Sequence, residues 1–267
     1  MGLWVADGEK GLIREADGAF ARVGPPGYAL CAGGGRVYCA CAGLCQCRDG
    51  RTGEALFDFP LPPGVCALCL FAGMVCALST EADCVAACDA ATGQMLYSAP
   101  AGAYPRDLCP CGRLLAVAGG AAGEVLLMDE GLRLSARHRV PGAARAVCML
   151  PRGLYVLCAA GEEEPASRLI RISPRGVSEE VYSDPRPPTV LCALPDGRCL
   201  AGCRESVALL RPDGRLLGRE RCAYPARLRP CRKGVLMCDS WEGTVRLFSG
   251  GPMYRGGEPL DALLLPE

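Results

Sequence analysis

The strongest constraint on the fold is an internal repeat of about 39 residues. A short apolar segment recurs seven times, and its starts lie 34, 38, 40, 39, 45 and 36 residues apart. Seven units at the mean spacing need about 271 residues, and the chain has 267. The sequence therefore predicts seven copies of one structural unit, whose recurring segments are residues 3–6, 37–40, 75–78, 115–118, 154–157, 199–202 and 235–238.

Each unit contains signals for four short strands. A lead with a proline precedes the first strand, as in residues 104–109 and 224–229, and a glycine turn introduces the recurring second strand. A third strand such as residues 85–89 comes next. It ends in a tight turn, residues 89–93, where an Asp side chain can accept backbone N–H groups and a glycine can take positive φ. No segment has a sustained 3.6-residue apolar period, so we expect almost no helix.

Four antiparallel strands in each of seven units predict an all-β fold, a seven-bladed β-propeller. The chain opens on a second strand, and its tail, residues 259–265, reads as a first strand. We therefore expect the C-terminal strand to join the N-terminal blade and close the ring, within a single domain of residues 1–267. The expected blades are residues 1–24 with 258–267, and then about 25–61, 62–100, 101–140, 141–184, 185–222 and 223–257.

The repeat resembles the bacterial YVTN-type (YncE-like) β-propeller repeat. The resemblance is carried by residues 92–94, 101–108, 112–118 and 125–129, which follow its order of a TG turn, a G-x-x-P lead, an L-Y-V-x-N strand and a V-x-V-I-D strand. The chain departs from it at the asparagine, where Ser79, Gly119 or Gly202 stands. The resemblance implies the propeller fold and leaves function open, because such propellers include lactonase-like enzymes, quinoprotein-like relatives and scaffolds without an assigned reaction.

Composition removes several classes of function. Lys and Arg number 29 and Asp and Glu number 29, so net charge provides no attraction to nucleic acid or to an anionic membrane. The longest apolar run, residues 65–78, has 14 residues, fewer than the ~18–20 that span a bilayer. The single histidine, His138, lies between two arginines in a predicted outer strand, which disfavours a His-dependent mechanism.

The start of the chain has neither the basic region nor the apolar core of a secretion signal. We therefore expect a cytoplasmic protein whose 20 cysteines are unpaired, since disulfides are rare in a reducing cytosol. So many unprotected thiols favour an anaerobic source. We further expect a monomer without a cofactor.

Four cysteines, Cys39, Cys41, Cys45 and Cys47, form the sharpest metal-like cluster. If residues 42–44 formed a hairpin turn, all four thiols would share one face and could hold zinc or an iron–sulfur cluster. The equivalent positions in other units hold Ala, Val, Leu or Met, which favours core packing instead, because a free cysteine packs as a small hydrophobe.

A second cysteine series occupies one position of the innermost strand in five successive units, and the next unit has Arg229 there. A ring of thiols around the channel is one interpretation. The other is that crowding near the axis demands small residues. The series consists of Cys31, Cys69, Cys109, Cys148 and Cys192.

Function is expected at a mouth of the central channel, where the inner strands converge. Arginines there can bind a carboxylate or phosphate with two hydrogen bonds, or can be solvated or paired with each other. The longest loop within a unit contains three consecutive glutamates, Glu162, Glu163 and Glu164. They form either a solvated loop tip or a site for a cation or a partner. The candidate ligand-binding residues are Tyr104, Arg106, Asp107, Arg145, Tyr224, Arg227, Arg229 and Asp261.

Three hypotheses follow. The first is a non-catalytic propeller scaffold that binds a protein partner or a small anionic ligand at a channel mouth, and the absence of a catalytic motif favours it. The second, which rests on the resemblance alone, is a lactonase-like hydrolase. The third is a thiol-based metal or redox protein.

Overall fold

The chain forms seven four-stranded antiparallel sheets arranged as the blades of a propeller, which confirms the fold expected from the repeat. The computed structural model describes residues 2–160 and 166–265, so Glu162, Glu163 and Glu164 lie outside the described residues. Every regular element within those ranges is a strand. That part of the chain holds no helix with the length and apolarity to cross a bilayer.

The strands follow one another in chain order, and the blades are numbered from the N-terminus. Blade 1 contains β1 (Gly2–Asp7), β2 (Gly11–Ala16) and β3 (Ala19–Gly24). Blade 2 contains β4 (Ala29–Gly33), β5 (Arg36–Cys41), β6 (Leu44–Asp49) and β7 (Ala55–Pro60). Blade 3 contains β8 (Val65–Phe71), β9 (Met74–Ser79), β10 (Cys84–Asp89) and β11 (Met95–Pro100). Blade 4 contains β12 (Asp107–Cys111), β13 (Leu114–Ala118), β14 (Glu124–Met128) and β15 (Leu134–Arg139).

Blades 5 to 7 complete the ring. Blade 5 contains β16 (Ala143–Leu150), β17 (Gly153–Ala160), β18 (Ala166–Ile172) and β19 (Ser178–Asp184). Blade 6 contains β20 (Pro188–Ala193), β21 (Cys199–Cys203), β22 (Ser206–Leu210) and β23 (Leu216–Arg221). Blade 7 contains β24 (Pro225–Cys231), β25 (Gly234–Asp239), β26 (Thr244–Leu247) and β27 (Pro252–Arg255), and the chain ends in β28 (Pro259–Leu265).

The C-terminal strand β28 closes the ring by joining blade 1. It pairs antiparallel with β1, with Trp4 opposite Leu263 and Val5 opposite Ala262, and so becomes the innermost strand of that blade. The inner strands then contact one another in ring order, including β28 with β4. Closure gives blade 1 the same four strands as the other blades.

The core lies between the blades because both faces of each sheet are covered by a neighbour. In β1, Leu3 and Val5 pack against blade 7, whereas Trp4 and Ala6 pack against blade 2. This is the two-residue alternation of a strand, with both sides buried. Among the described residues, seven apolar clusters fill the seven interfaces between blades.

Turns between the third and fourth strands follow the predicted chemistry. The Oδ1 atom of Asp89 accepts the backbone N–H groups of Ala91 and Thr92 at 3.0 and 2.8 Å, and Gly93 takes a φ of +75°. Asp49 makes the equivalent turn in blade 2. These turns lie at the end of the propeller opposite the starts of the inner strands, so they take no part in the site described next.

Candidate functional site

The inner strands β4, β8, β12, β16, β20, β24 and β28 all begin at one end of the central channel, which we call the mouth. Five of them carry a β-bulge near their start, and the bulged residue is left out of strand pairing. A bulge redirects a side chain and is common beside functional sites. The bulged residues, with the residues that directly precede β4 and β12, form the mouth ring: Tyr28, Cys66, Arg106, Arg145, Thr189, Ala226 and Leu260.

A cavity of about 670 Å³ opens at the mouth. Every member of the mouth ring except Arg106 and Arg145 lines it, and the charged side chains in its lining are Glu81 and Arg227. We call this space the mouth cavity. Its volume is in the range of pockets that hold small molecules.

Arg106 and Arg145 occupy neighbouring positions of the mouth ring, at the starts of β12 and β16. The pKa of Arg145 lies below its usual value because its guanidinium is partly desolvated and because Arg106 carries a like charge nearby. Tyr224 opposes this effect. Within the part of the chain that the structure describes, neither guanidinium donates a hydrogen bond or joins an ion pair. Two like charges therefore stand together without a counter-charge.

An aromatic stack lies beside these arginines. The rings of Tyr224 and Trp241 stack with centroids 5.3 Å apart and an interplanar angle of 23°. The guanidinium of Arg204 lies over the Trp241 ring, 5.3 Å from its centroid. Tyr224 lines the mouth cavity, whereas Trp241 is 61% exposed and does not line it.

The buried carboxylate of Asp239 holds the two aromatic residues in place. Its oxygens accept the backbone N–H groups of Ala223 and Tyr224 at 2.6 and 3.1 Å. They also accept those of Trp241 and Glu242 at 3.2 and 3.1 Å. One side chain thus fixes both the loop that enters β24 and the loop that leaves β25.

Two ion pairs lie below the mouth ring, one across the channel and one between neighbouring inner strands. Arg227 donates to Asp107, with Nη1 and Oδ1 3.2 Å apart, and its Nη2 donates to the carbonyl of Cys66 at 3.2 Å. Arg229 donates to Asp261 through Nε at 3.0 Å and Nη2 at 2.6 Å. These contacts connect blades 1, 3, 4 and 7 across the axis, and they place a charged barrier below the mouth cavity.

Each of the two carboxylates also accepts a backbone N–H from the inner strand of the next blade. Asp107 accepts from Val147 at 3.1 Å, and Asp261 accepts from Leu30 at 2.9 Å. Burial raises the pKa of Asp107, although Arg227 opposes the shift. Burial also acts on Asp261, but Arg229 and Arg227 outweigh it and lower the pKa of that carboxyl.

The cysteine series predicted along the inner strands lies below the mouth and is largely buried. Burial raises the pKa of Cys31 and of Cys192 to about 12, against an opposing effect of Arg229. Burial also raises the pKa of Cys148. Since the thiolate is the reactive and metal-binding form, Cys31, Cys148 and Cys192 behave as packing groups. Cys109 differs, because it is only half buried and its hydrogen bond with Cys111 lowers its pKa. All 20 cysteines are free, and 15 of them are buried.

The cluster of Cys39, Cys41, Cys45 and Cys47 does not share one face, which corrects the geometry expected from the sequence. The turn between β5 and β6 has two residues, 42 and 43, where a turn of residues 42–44 was expected. Ala40 therefore pairs with Cys45, and the two cysteine pairs point to opposite sides of the blade. Among the described residues, no group of three or more His, Cys, Asp or Glu side chains is arranged to hold a metal ion.

The structure places most of the candidate ligand-binding residues at the channel, but in different roles. Three of them lie at the mouth, namely Arg106, Arg145 and Tyr224. Four others form the ion pairs of the barrier, namely Asp107, Arg227, Arg229 and Asp261. Tyr104 is 60% exposed on a neighbouring loop and does not line the mouth cavity. His138 lies in the outer strand β15.

Sequence reasoning missed Trp241, Arg204 and Asp239. A signal for Asp239 was present, because Asp7 and Asp239 both end a second strand and an Asp there can accept the N–H groups of the next loop. The contact between Arg204 and Trp241 joins loops of two blades and has no local signature.

A second, larger cavity of about 880 Å³ lies at the opposite end of the propeller, between blades 1 and 2. It is lined by turns around residues 33–36 and 50–52 and by Gly2 and Leu265. Its lining includes no residue of the mouth ring or the barrier, so we regard the mouth cavity as the candidate site.

No protein-family model matches the chain and no curated protein matches it, so the likeness to the YVTN-type repeat stays a prediction. Solved structures do match. A proposed 6-phosphogluconolactonase from Bacteroides uniformis is 12% identical over 98% of this chain and 98% of its own, with a TM-score of 0.75. One from Bacteroides fragilis is 12% identical over 99% and 98%, also with a TM-score of 0.75. The RRP9 WD40 repeats are 12% identical over 96% and 87%, with a TM-score of 0.73. At this identity the likeness establishes the shared fold.

Proposed function

We propose that the protein binds a small anionic ligand, one that carries a phosphate or carboxylate group, at the mouth of its central channel. The observation that carries the proposal is the pair of guanidiniums of Arg106 and Arg145, which are adjacent and uncompensated while one of them is partly desolvated. An anion between them would remove the repulsion. The planar fork of a guanidinium also matches the oxygens of phosphate and carboxylate.

Because the barrier lies below the mouth cavity, we expect a ligand pocket that is open only toward the mouth. Arg227 lines the mouth cavity but is held by Asp107 and by the carbonyl of Cys66. It therefore forms part of the cavity floor as a paired group and is not free to follow the ligand. A ligand would enter from the mouth and stop at the barrier.

Calorimetric titration with inorganic phosphate and with citrate tests the proposal. Arg106→Ala and Arg145→Ala should each weaken binding about ten- to a hundredfold, since a hydrogen bond to a charged group contributes about 1.5–3 kcal/mol. Affinity should also fall with added salt. Arg139→Ala is the matched control, because Arg139 is exposed on the outer strand β15. Equal loss in all three variants, or no binding to the wild type, would contradict the proposal. Binding only of an acidic protein segment would instead support a partner-binding scaffold.

A lactone hydrolase is the second candidate. It is favoured by the likeness to two proposed 6-phosphogluconolactonases, because a phosphorylated lactone is itself a small anion. Hydrolysis adds water across the ring ester: hydroxide attacks the carbonyl carbon, the ring C–O bond breaks and the leaving oxygen takes a proton. Glu81 is the carboxylate in the lining of the mouth cavity that could take the proton of the attacking water.

A lactone-hydrolysis assay separates the two candidates. If the protein is a hydrolase, Glu81→Gln should abolish turnover while phosphate binding persists, and Arg106→Ala should raise the KM for a phosphorylated lactone. If the protein only binds anions, the wild type hydrolyses the lactone no faster than buffer. Activity that persists unchanged in all these variants would place catalysis outside the mouth cavity.

A further inference from the structure

The aromatic stack gives the mouth cavity a wall that anion binding does not require. Tyr224 lines the cavity, and Trp241 stacks on it without lining the cavity itself. Arg204 covers Trp241 in turn, so three flat groups from two blades form a column that ends at Tyr224. A column of this kind holds its last ring in one orientation.

Asp239 fixes the backbone that carries both rings of the stack. It is fully buried and accepts backbone N–H groups on both sides of the stack, from Tyr224 at 3.1 Å and from Trp241 at 3.2 Å. A ring that is fixed before binding loses little conformational freedom when a ligand stacks on it. Tyr224 is therefore preorganised as a stacking platform.

We infer that the anion bound at the mouth also carries a planar heteroaromatic ring, which stacks on Tyr224, so that the ligand has the chemistry of a nucleoside monophosphate. The inference rests on the proposed function, because it assigns the phosphate to Arg106 and Arg145. Tyr224 directly precedes β24 and Arg145 lies in the mouth ring, so the two residues stand at the same end of the channel. The mouth cavity, at about 670 Å³, is large enough for the ring on Tyr224, and Arg106 and Arg145 would hold the phosphate outside its lining.

Titration with three ligands of graded composition tests the inference. Adenosine 5′-monophosphate has the ring, the sugar and the phosphate, ribose 5-phosphate lacks the ring, and inorganic phosphate has neither ring nor sugar. We expect adenosine 5′-monophosphate to bind at least about fivefold more tightly than ribose 5-phosphate, given the contribution of stacking on an aromatic side chain.

Variants of Tyr224 locate the preference. Tyr224→Ala should reduce the affinity for adenosine 5′-monophosphate to that for ribose 5-phosphate, whereas Tyr224→Phe should retain the preference. Tyr97→Ala is the matched control, since Tyr97 is exposed on the outer strand β11. The tryptophans provide a second readout, because Trp4 is fully buried and Trp241 is exposed. A ligand that stacks on Tyr224 should change the tryptophan emission of the wild type. The change should be absent from Trp241→Phe, which retains only the buried Trp4.

The outcomes separate the two proposals. Equal affinity for the three ligands, or a preference that survives Tyr224→Ala, overturns the stacking inference and leaves anion binding standing. Failure of all three ligands to bind overturns both. Tighter binding of ribose 5-phosphate than of adenosine 5′-monophosphate would show that the wall selects a sugar and excludes a planar ring.

Discussion

Arg229 and Asp261 form a two-pronged ion pair at the joint that closes the propeller ring. Arg229 belongs to β24 in blade 7, and Asp261 belongs to β28, the strand that the C-terminus adds to blade 1. The same carboxylate accepts the N–H of Leu30 in blade 2, and Arg229 donates to the carbonyl of Leu30 at 2.6 Å. The joint is thus stabilised by charge as well as by the apolar clusters on either side.

Removing the charge of Asp261 should destabilise the fold strongly. Asp261→Asn leaves the largely buried guanidinium of Arg229, which is 23% exposed, without its counter-charge, and breaking a buried pair on one side costs up to about 3–5 kcal/mol. The free energy of unfolding, measured by urea denaturation, should fall by about that amount. Asp196→Asn is the control, because the ion pair of Asp196 with Arg198 is about half exposed. Its effect should stay below about 1 kcal/mol. Equal effects would show that the joint does not depend on the pair.

The two channel carboxylates should respond to pH with opposite slopes. Asp261 has a lowered pKa in the folded state, so its stabilisation is present above the unfolded pKa of about 3.9 and is lost as the pH falls below it. Asp107 has a raised pKa, so its contribution decreases as the pH rises from about 3.9 through the folded pKa.

Urea denaturation between about pH 3 and pH 7 checks these slopes. The cost of Asp261→Asn, relative to the wild type, should shrink toward acid pH, and the cost of Asp107→Asn should grow. Slopes of the same sign would mean that the balance of burial and ion pairing at one of the two sites is wrong.

Cys31 and Cys192 of the inner strands should resist alkylation while the protein is folded. With a pKa of about 12, Cys31 and Cys192 are ionised at pH 8 in only roughly one molecule in ten thousand. Iodoacetamide labelling followed by mass spectrometry should therefore modify Cys109 first, because it is half buried and its hydrogen bond with Cys111 lowers its pKa. In guanidinium chloride all 20 cysteines should react. Fast labelling of Cys31 in the folded protein would instead support the interpretation that the inner-strand cysteines form a reactive ring around the channel.

Loss of the Asp239 carboxylate should loosen the aromatic stack. Asp239→Ala leaves four backbone N–H groups without their acceptor, and each buried donor left unsatisfied costs about 1–3 kcal/mol. Iodide should then quench Trp241 fluorescence more strongly. Asp7→Ala is the matched control, because Asp7 accepts loop N–H groups in the same way in blade 1 and makes none of these bonds to Trp241 or Tyr224. It should reduce stability without altering quenching of Trp241.

Much of the mouth could be predicted from the sequence because a repeat assigns equivalent positions. The alignment of residues 104–109 with 224–229 placed Arg106, Asp107 and Arg227 near the starts of inner strands, where they lie. The alignment could not show which charges would pair. Asp107 and Arg227 are 120 residues apart and meet only across the channel, at 3.2 Å.

The sequence by itself determined the number of blades, the strand order within each and the closure of the ring, because these depend on periodicity and on turns of a few residues. The tertiary structure alone decided the chemistry at the axis. A two-residue turn set the faces of Cys39 and Cys45, since a change of one residue reverses every side chain of a strand. Packing of blades 1, 3, 4 and 7 around one axis paired Arg227 and Arg229 with carboxylates and left Arg106 and Arg145 unpaired. The sequence could not show this, because ion pairing depends on distances between strands that are remote in the chain.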